Sequence, residues 1–152
     1  GRKLLSQRKI SQNKNPRRVI SLATIRAYSK AKDGNTKISA NFRVKEFACS
    51  DGSDPIFIAD ELVKVLQKIR THFGKAVTIT SAYRTPARNS AVGGTVYSQH
   101  LYGMAADIKV SGISPKKVSA YAETLMPNGG GIGTYGTFTH IDVREKRSRW
   151  NG

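Results

Sequence analysis

The chain has 152 residues, 38% of them hydrophobic, and a formal net charge of +16. That length accommodates one domain with a substantial core. The single cysteine, Cys49, excludes an internal disulfide and a multi-cysteine zinc site. No apolar run approaches the ~18 residues that span a bilayer.

The charge is unevenly spread. Residues 1–37 carry eleven Lys/Arg against one acid, Asp33. This stretch reads as a basic arm or linker, with a short strand near Val19–Ile25, ahead of a mildly basic domain over 38–152. Such an excess of cations favours anionic polymers: nucleic acid, teichoic acid or a membrane surface. A solvated or wall-adhering arm is the stronger reading. Residues 38–152 do not interleave basic and aromatic side chains in a groove-like pattern, so nucleic acid ranks last.

Next in order, "KISANFRVKEFACSDGSDP" supplies a short alternating stretch and a loop, with Cys49 as a small buried hydrophobe. In "DPIFIADELVKVLQKIRTHFG", Asp54 is expected to cap a helix with Pro55 in its first turn. Ile58, Leu62, Val65, Leu66 and Ile69 recur at helical spacing, and Gly74 closes it. His72 falls near the C-terminus of that helix, where the dipole favours a cationic imidazole.

The β-branched "AVTITSAYRT" is a strand leading to a turn, after which Thr85-Pro86 opens a short helix. "MAADIKV" is another strand. "SPKKVSAYAETLMP" is a helix capped by Ser114, with Val118, Ala122 and Leu125 inward. "GGGIGTYGTFTHIDVR" reads as a glycine-rich approach to a final strand. Strands and helices mix without regular βαβ alternation. The expected fold is therefore α+β, with a mostly antiparallel central sheet and flanking helices.

Side chains on a strand alternate faces. In "AADIKV", Ala106, Ile108 and Val110 share one face, while Asp107 stands on the other with Ala105 and Lys109. In "FTHIDV", Ile141 and Val143 point one way, while His140 and Asp142 point the other with Phe138. If the two strands are neighbours, Asp107 and His140 meet on the side away from the aliphatic residues. His100, on the loop before the first strand, would complete a trio. Two histidines and one carboxylate leave a fourth position open, which is the arrangement of catalytic zinc. The alternative is a solvated polar strand face.

The segments "SAYRTPARN", "SQHLYGMAADI", "GIGTYGTFTHIDVR" and the late "RW" resemble the zinc D-alanyl-D-alanine carboxypeptidases and related peptidoglycan peptidases of the M15 family. The hedgehog signalling domain shares their fold. "NFRVKEFACSDGSD" is also similar to the entry segment of the bacterial and phage branch. The resemblance covers about residues 38–150. It implies one zinc ion held by His100, Asp107 and His140, and a substrate-binding or carbonyl-polarising role for Arg84.

Better-known members carry an acidic general base three residues before the last zinc histidine. Here that position is Thr137, which cannot serve. Asp142 is the nearest carboxylate on the strand. It can act as the base, or it can orient His140, the second being slightly favoured. Tyr97, Tyr102 and Tyr135 are candidate substrate contacts, Arg144 a weaker one, and Trp150 a structural lock.

The implied function is a zinc metallopeptidase acting on peptidoglycan stem peptides, as a carboxypeptidase or an endopeptidase. A non-catalytic zinc-stabilised peptidoglycan-binding domain is the alternative. No signal-peptide h-region is visible and no initiator Met opens the chain, as expected of a processed product or a piece of a longer protein. The expected location is extracellular or wall-associated, or in a phage particle.

Overall fold

A computed structural model describes residues 23–152 in full, together with the backbone of three short stretches before them: β1 (Lys3–Leu4), β2 (Ile10–Gln12) and β3 (Val19–Ser21). The rest of the expected arm over 1–22, with its proposed wall-adhering role, lies outside the described residues. Strand β4 (Ile25–Ser29), helix α1 (Lys30–Asp33) and the hairpin strands β5 (Lys37–Ser39) and β6 (Phe42–Arg43) follow. A 3₁₀ turn, Val44–Phe47, leads into β7 (Pro55–Ala59) and α2 (Asp60–Phe73).

The second half runs β8 (Val77–Ser81), α3 (Pro86–Ala91), a 3₁₀ turn at Gln99–Tyr102 and β9 (Ala105–Val110). It ends with α4 (Pro115–Leu125), β10 (Gly131–Thr134), β11 (Thr139–Asp142) and β12 (Ser148–Asn151). The fold is mixed α+β. Its largest sheet has the order β12-β10-β11-β9-β8. Three of its pairings are antiparallel, but β12 runs parallel to β10, so the sheet is mixed. A second sheet has the order β1-β4-β7.

Three expectations need correction. Part of the expected basic arm, Ile25–Ser29, is packed into the body. Strand β4 pairs with β7 from Ile25↔Ala59 to Ser29↔Pro55, and Tyr28 sits in the core. The apolar spacing of "IRAYS" was masked by its flanking charge.

The helix expected to begin at Pro55 begins five residues later. The run "PIFIA" forms a strand, because β4 offers it a ladder and its Ile56, Ile58 and Ala59 are wholly buried. Asp54 does not cap α2. Its carboxylate accepts from Ser29 Oγ and Ala31 N, both at 2.8 Å, and so ties the start of α1 to β7. Finally, the glycine-rich approach is itself a strand, β10, hairpinned to β11.

The core lies between the large sheet and α2 with α4. Leu62, Leu66 and Ile69 of α2 are each buried, a contribution of about 2 kcal/mol apiece. They meet Ala106, Ile108 and Ile141 of the sheet and Val118 and Ala122 of α4 in one cluster, with Cys49 inside it. Helix α2 ends at Gly74, whose φ of +62° lets its N–H turn back to Arg70 O. The helices thus cover the aliphatic face of β9 and β11, leaving their polar face for the site. None of the described helices is long and apolar enough to cross a membrane.

Candidate metal centre

The polar face of the sheet is organised by strand register. Asp107 and His140 are direct partners across the β9–β11 ladder, so their side chains rise together. His100 comes from the 3₁₀ turn before β9, whose chain reverses at Gly103 with φ +72°. A side chain at Gly103 would lie 2.2 Å from the Phe57 carbonyl oxygen, so only glycine fits where this turn crosses β7.

All three side chains are buried, and one potential ligand atom from each lies within 4.8 Å of the others. Asp107 Oδ1 is 3.3 Å from His100 Nε2 and 3.0 Å from His140 Nδ1. Tetrahedral zinc with bonds of 2.0–2.1 Å sets its donors about 3.3–3.4 Å apart, so the two distances from Asp107 are close to what the ion requires.

The remaining histidine nitrogens decide which atoms face the centre. Nδ1 of His100 lies 2.6 Å from the Ala82 carbonyl oxygen. A carbonyl only accepts, so Nδ1 carries the proton and Nε2 presents its lone pair. Nε2 of His140 lies 2.8 Å from Asp142 Oδ2, which fixes the proton there and turns Nδ1 toward Asp107. Oxygen acceptors behind both rings are what ligand histidines require. The donor set fits a zinc ion.

Electrostatics agree. Burial would raise the Asp107 pKa, but the contacts and charge of His100 and His140 beside it hold it well below the usual carboxylate range. Burial would lower His140, yet Asp107 and Asp142 on either side of its ring raise its pKa above the ordinary value. Without metal, a proton on Nδ1 is therefore held more tightly than on a free imidazole, at the atom turned toward Asp107.

Asp142 is wholly buried. Besides His140 it accepts from Arg144: Nε at 2.8 Å and the backbone N at 3.1 Å on Oδ1, and Nη2 at 2.7 Å on Oδ2. His140 and Arg144 outweigh its burial and keep it ionised. Two glycines of β10 make room for this arrangement. Gly131 faces Asp142, and a Cβ there would sit 2.1 Å from the carboxylate; Gly133 faces His140, and a Cβ there would meet the Trp150 ring at 2.5 Å. The Trp150 ring can therefore lie across β10, 5.0 Å from His140 and 5.4 Å from the Arg144 guanidinium.

A cleft of about 510 Å³ opens over the centre. Its walls include Arg84, Tyr97, Gln99, Tyr135, Arg144 and Trp150. Tyr97 is 80% exposed at the rim. Tyr135 stacks on Phe138 at 4.3 Å and receives a hydrogen bond from Trp150 Nε1 at 2.9 Å.

Arg84 lies in the loop after β8 and points inward. It bonds Ser81 Oγ at 3.0 Å and Asn89 Oδ1 at 3.3 Å, and it pairs with Asp107 Oδ2 at 3.4 Å. Asn89 is itself buried and bonds the Thr95 carbonyl. Sequence reasoning missed Ser81, Asn89 and the Ala82 carbonyl. The signal lay in the spacing of "SAYRTPARN", where Thr85 caps α3 and presents Asn89 back to Arg84.

Trp150 lines the cleft as well as locking the domain, while Arg149 has the structural role: it ties Glu123 of α4 to the carbonyls of Met126, Gly129 and Gly130. Asp107 is the sole carboxylate lining the cleft among the described residues, and Thr137 is exposed on the β10–β11 turn.

No curated protein matches the chain. A family model described as Peptidase M15 matches residues 38–142, which include His100, Asp107 and His140. With its buried His-Asp-His cluster compatible with a metal ion, the chain belongs to the peptidase M15 family.

Proposed function

We propose that this chain is a zinc metallopeptidase that hydrolyses an amide bond in the stem peptides or cross-bridges of peptidoglycan. The observation that carries the reading is the donor set itself. His100, Asp107 and His140 converge at the floor of an open cleft, with both histidines turned by oxygen acceptors behind them. Zinc bound there supplies Lewis acidity, making water acidic near neutral pH and polarising a scissile carbonyl.

The chain's own residues position and shield. Asp142, held by Arg144, orients His140 and fixes its proton on Nε2, a positioning role rather than that of the general base. Arg84 steadies Asp107 from the side opposite the histidines. Trp150 covers one face of His140 and keeps water off it. Tyr97 and Tyr135 offer surfaces along which a peptide can lie. Both arginines that line the cleft are already paired, Arg84 with Asp107 and Arg144 with Asp142. Among the described residues, a substrate's terminal carboxylate would meet no unpaired cation in the cleft, which favours cutting within the chain over release of a terminal residue.

The test is mass spectrometry of muropeptides after purified peptidoglycan is incubated with the zinc-loaded chain, with and without chelator. A chelator-sensitive product whose mass corresponds to a cut stem or bridge is expected. Loss of a single D-alanine would establish a carboxypeptidase instead. A second reading, a zinc-stabilised module that binds peptidoglycan without cutting it, draws support from the lack of a second carboxylate in the cleft among the described residues. Binding with no product across several wall types, zinc being present, would favour it.

A further inference from the structure

A second and larger cleft, of about 1010 Å³, runs along α2. It shares no lining residue with the metal centre. Because α2 covers the aliphatic face of the large sheet, the cleft lies on the side away from His100, Asp107 and His140. One wall is a single face of α2, on which Asp60, Lys64, Gln67, Lys68 and Thr71 recur at helical spacing. Arg26 of β4 and Lys37 of β5 line it as well.

The charge there is lopsided. Arg26 pairs with Asp60, its Nε 3.0 Å from Oδ1. Among the described residues, no ion pair engages Lys37, Lys64 or Lys68, and all three are exposed. Three cations without counter-ions thus face one channel. Its polar walls are braced: Gln67 accepts from Ser39 Oγ at 2.7 Å and Asn41 N at 2.9 Å, which ties the β5–β6 hairpin to α2. The end wall is His72 stacked on Tyr121 at 3.7 Å.

We propose that this cleft binds a strand of phosphodiester-linked anionic wall polymer, of the polyol-phosphate class, and thereby holds the chain on the wall while the metal cleft faces the stem peptides. Charge complementarity carries the assignment: uncompensated ammonium groups from both α2 and β5, lining one cleft, match a polymer with one negative charge per repeat. Single-stranded nucleic acid carries the same charge but needs aromatic platforms for its bases. Here Tyr28 is buried, and His72 and Tyr121 are spent on each other. The choice of polymer rests on the peptidoglycan reading above; the basic channel does not.

The test uses the full zinc-loaded chain and purified poly(glycerol phosphate), with affinity measured at about 50 and 200 mM salt. The double variant Lys64→Gln/Lys68→Gln is compared with Lys116→Gln/Lys117→Gln, two exposed lysines of α4 outside this cleft. At roughly fivefold per lysine, the first pair should weaken binding about 25-fold at low salt, and the second by twofold or less. The slope of log affinity against log salt should flatten by about 1.4 in the first pair only.

Equal losses in both variants would overturn the assignment in favour of diffuse attraction to the whole basic chain. So would an absence of binding, or a single-stranded DNA of equal phosphate count binding tighter than the polymer. Cleavage of soluble muropeptides, followed in parallel, should be unchanged in the Lys64/Lys68 variant. A wild-type chain that binds the polymer and cuts nothing would sink the peptidase reading and leave this one standing.

Discussion

Replacing Asp142 with Asn separates the two roles open to that residue. The carboxylate accepts on both oxygens, Oδ1 from Arg144 Nε and Oδ2 from both His140 Nε2 and Arg144 Nη2. An amide accepts on one side only. If its oxygen takes the place of Oδ1, its NH₂ meets both Nε2 of His140 and Nη2 of Arg144. The ring must then move its proton to Nδ1, the atom turned toward Asp107, and can no longer offer a lone pair to an ion. If the amide flips, NH₂ meets the Arg144 guanidinium inside a buried site.

Losing a carboxylate behind a ligand histidine typically costs 10–100-fold in metal affinity, or about 1.4–2.7 kcal/mol. The assay is competition for zinc against a chromophoric chelator, with circular dichroism to confirm the fold. Activity is then measured at saturating zinc, where much of it should return. Zinc affinity within twofold of wild type, with activity lost at saturating metal, would refute this reasoning and make Asp142 the general base.

Other consequences can be checked alongside. His140→Ala should abolish both metal binding and hydrolysis, read by chelator competition and by muropeptide mass spectrometry. Gly131→Ala drives a methyl into the Asp142 carboxylate; it should weaken zinc about tenfold and cost roughly 1–3 kcal/mol in denaturant unfolding, though no ligand is touched. Gly103→Ala combines a positive φ with a clash against the Phe57 carbonyl, and should destabilise by about 3 kcal/mol, a fall in Tm of roughly 6–12 °C by calorimetry. Zinc binding should depend on pH. The metal-free His140 has a raised pKa, so below it a proton occupies Nδ1 and must leave. Affinity should tighten by about tenfold per pH unit as pH rises to that pKa, then level off as far as His140 is concerned. Titrations from acid to mildly alkaline pH would show it.

The centre was largely legible in the sequence because a strand has a period of two. Alternation put Asp107 opposite Ile108 and His140 opposite Ile141, and register then made the first of each pair meet. What the sequence did not carry was the back of the site. That Arg84 would be tied to Ser81 and Asn89, and Asp142 saturated by Arg144, depends on loop paths and rotamers. The start of α2 was misread because "PIFIA" is apolar under either period; the partner strand, thirty residues earlier and hidden in basic sequence, decided it. The channel along α2 was invisible for a related reason. Its cations come from Arg26, Lys37, Lys64 and Lys68, which only tertiary packing brings to one place.

The direct pairing of Asp107 with His140 has a consequence for assembly. A slip of one residue between β9 and β11 would send one of the two donors through to the aliphatic side, where no ion could be shared. The donors therefore coexist in one alignment of the ladder, although thirty-three positions separate them along the chain. Zinc uptake is in that sense a proofreading signal: an ion retained through dialysis certifies that the hairpins have met in the right frame, and a misaligned chain should be recognisable simply by its failure to keep one.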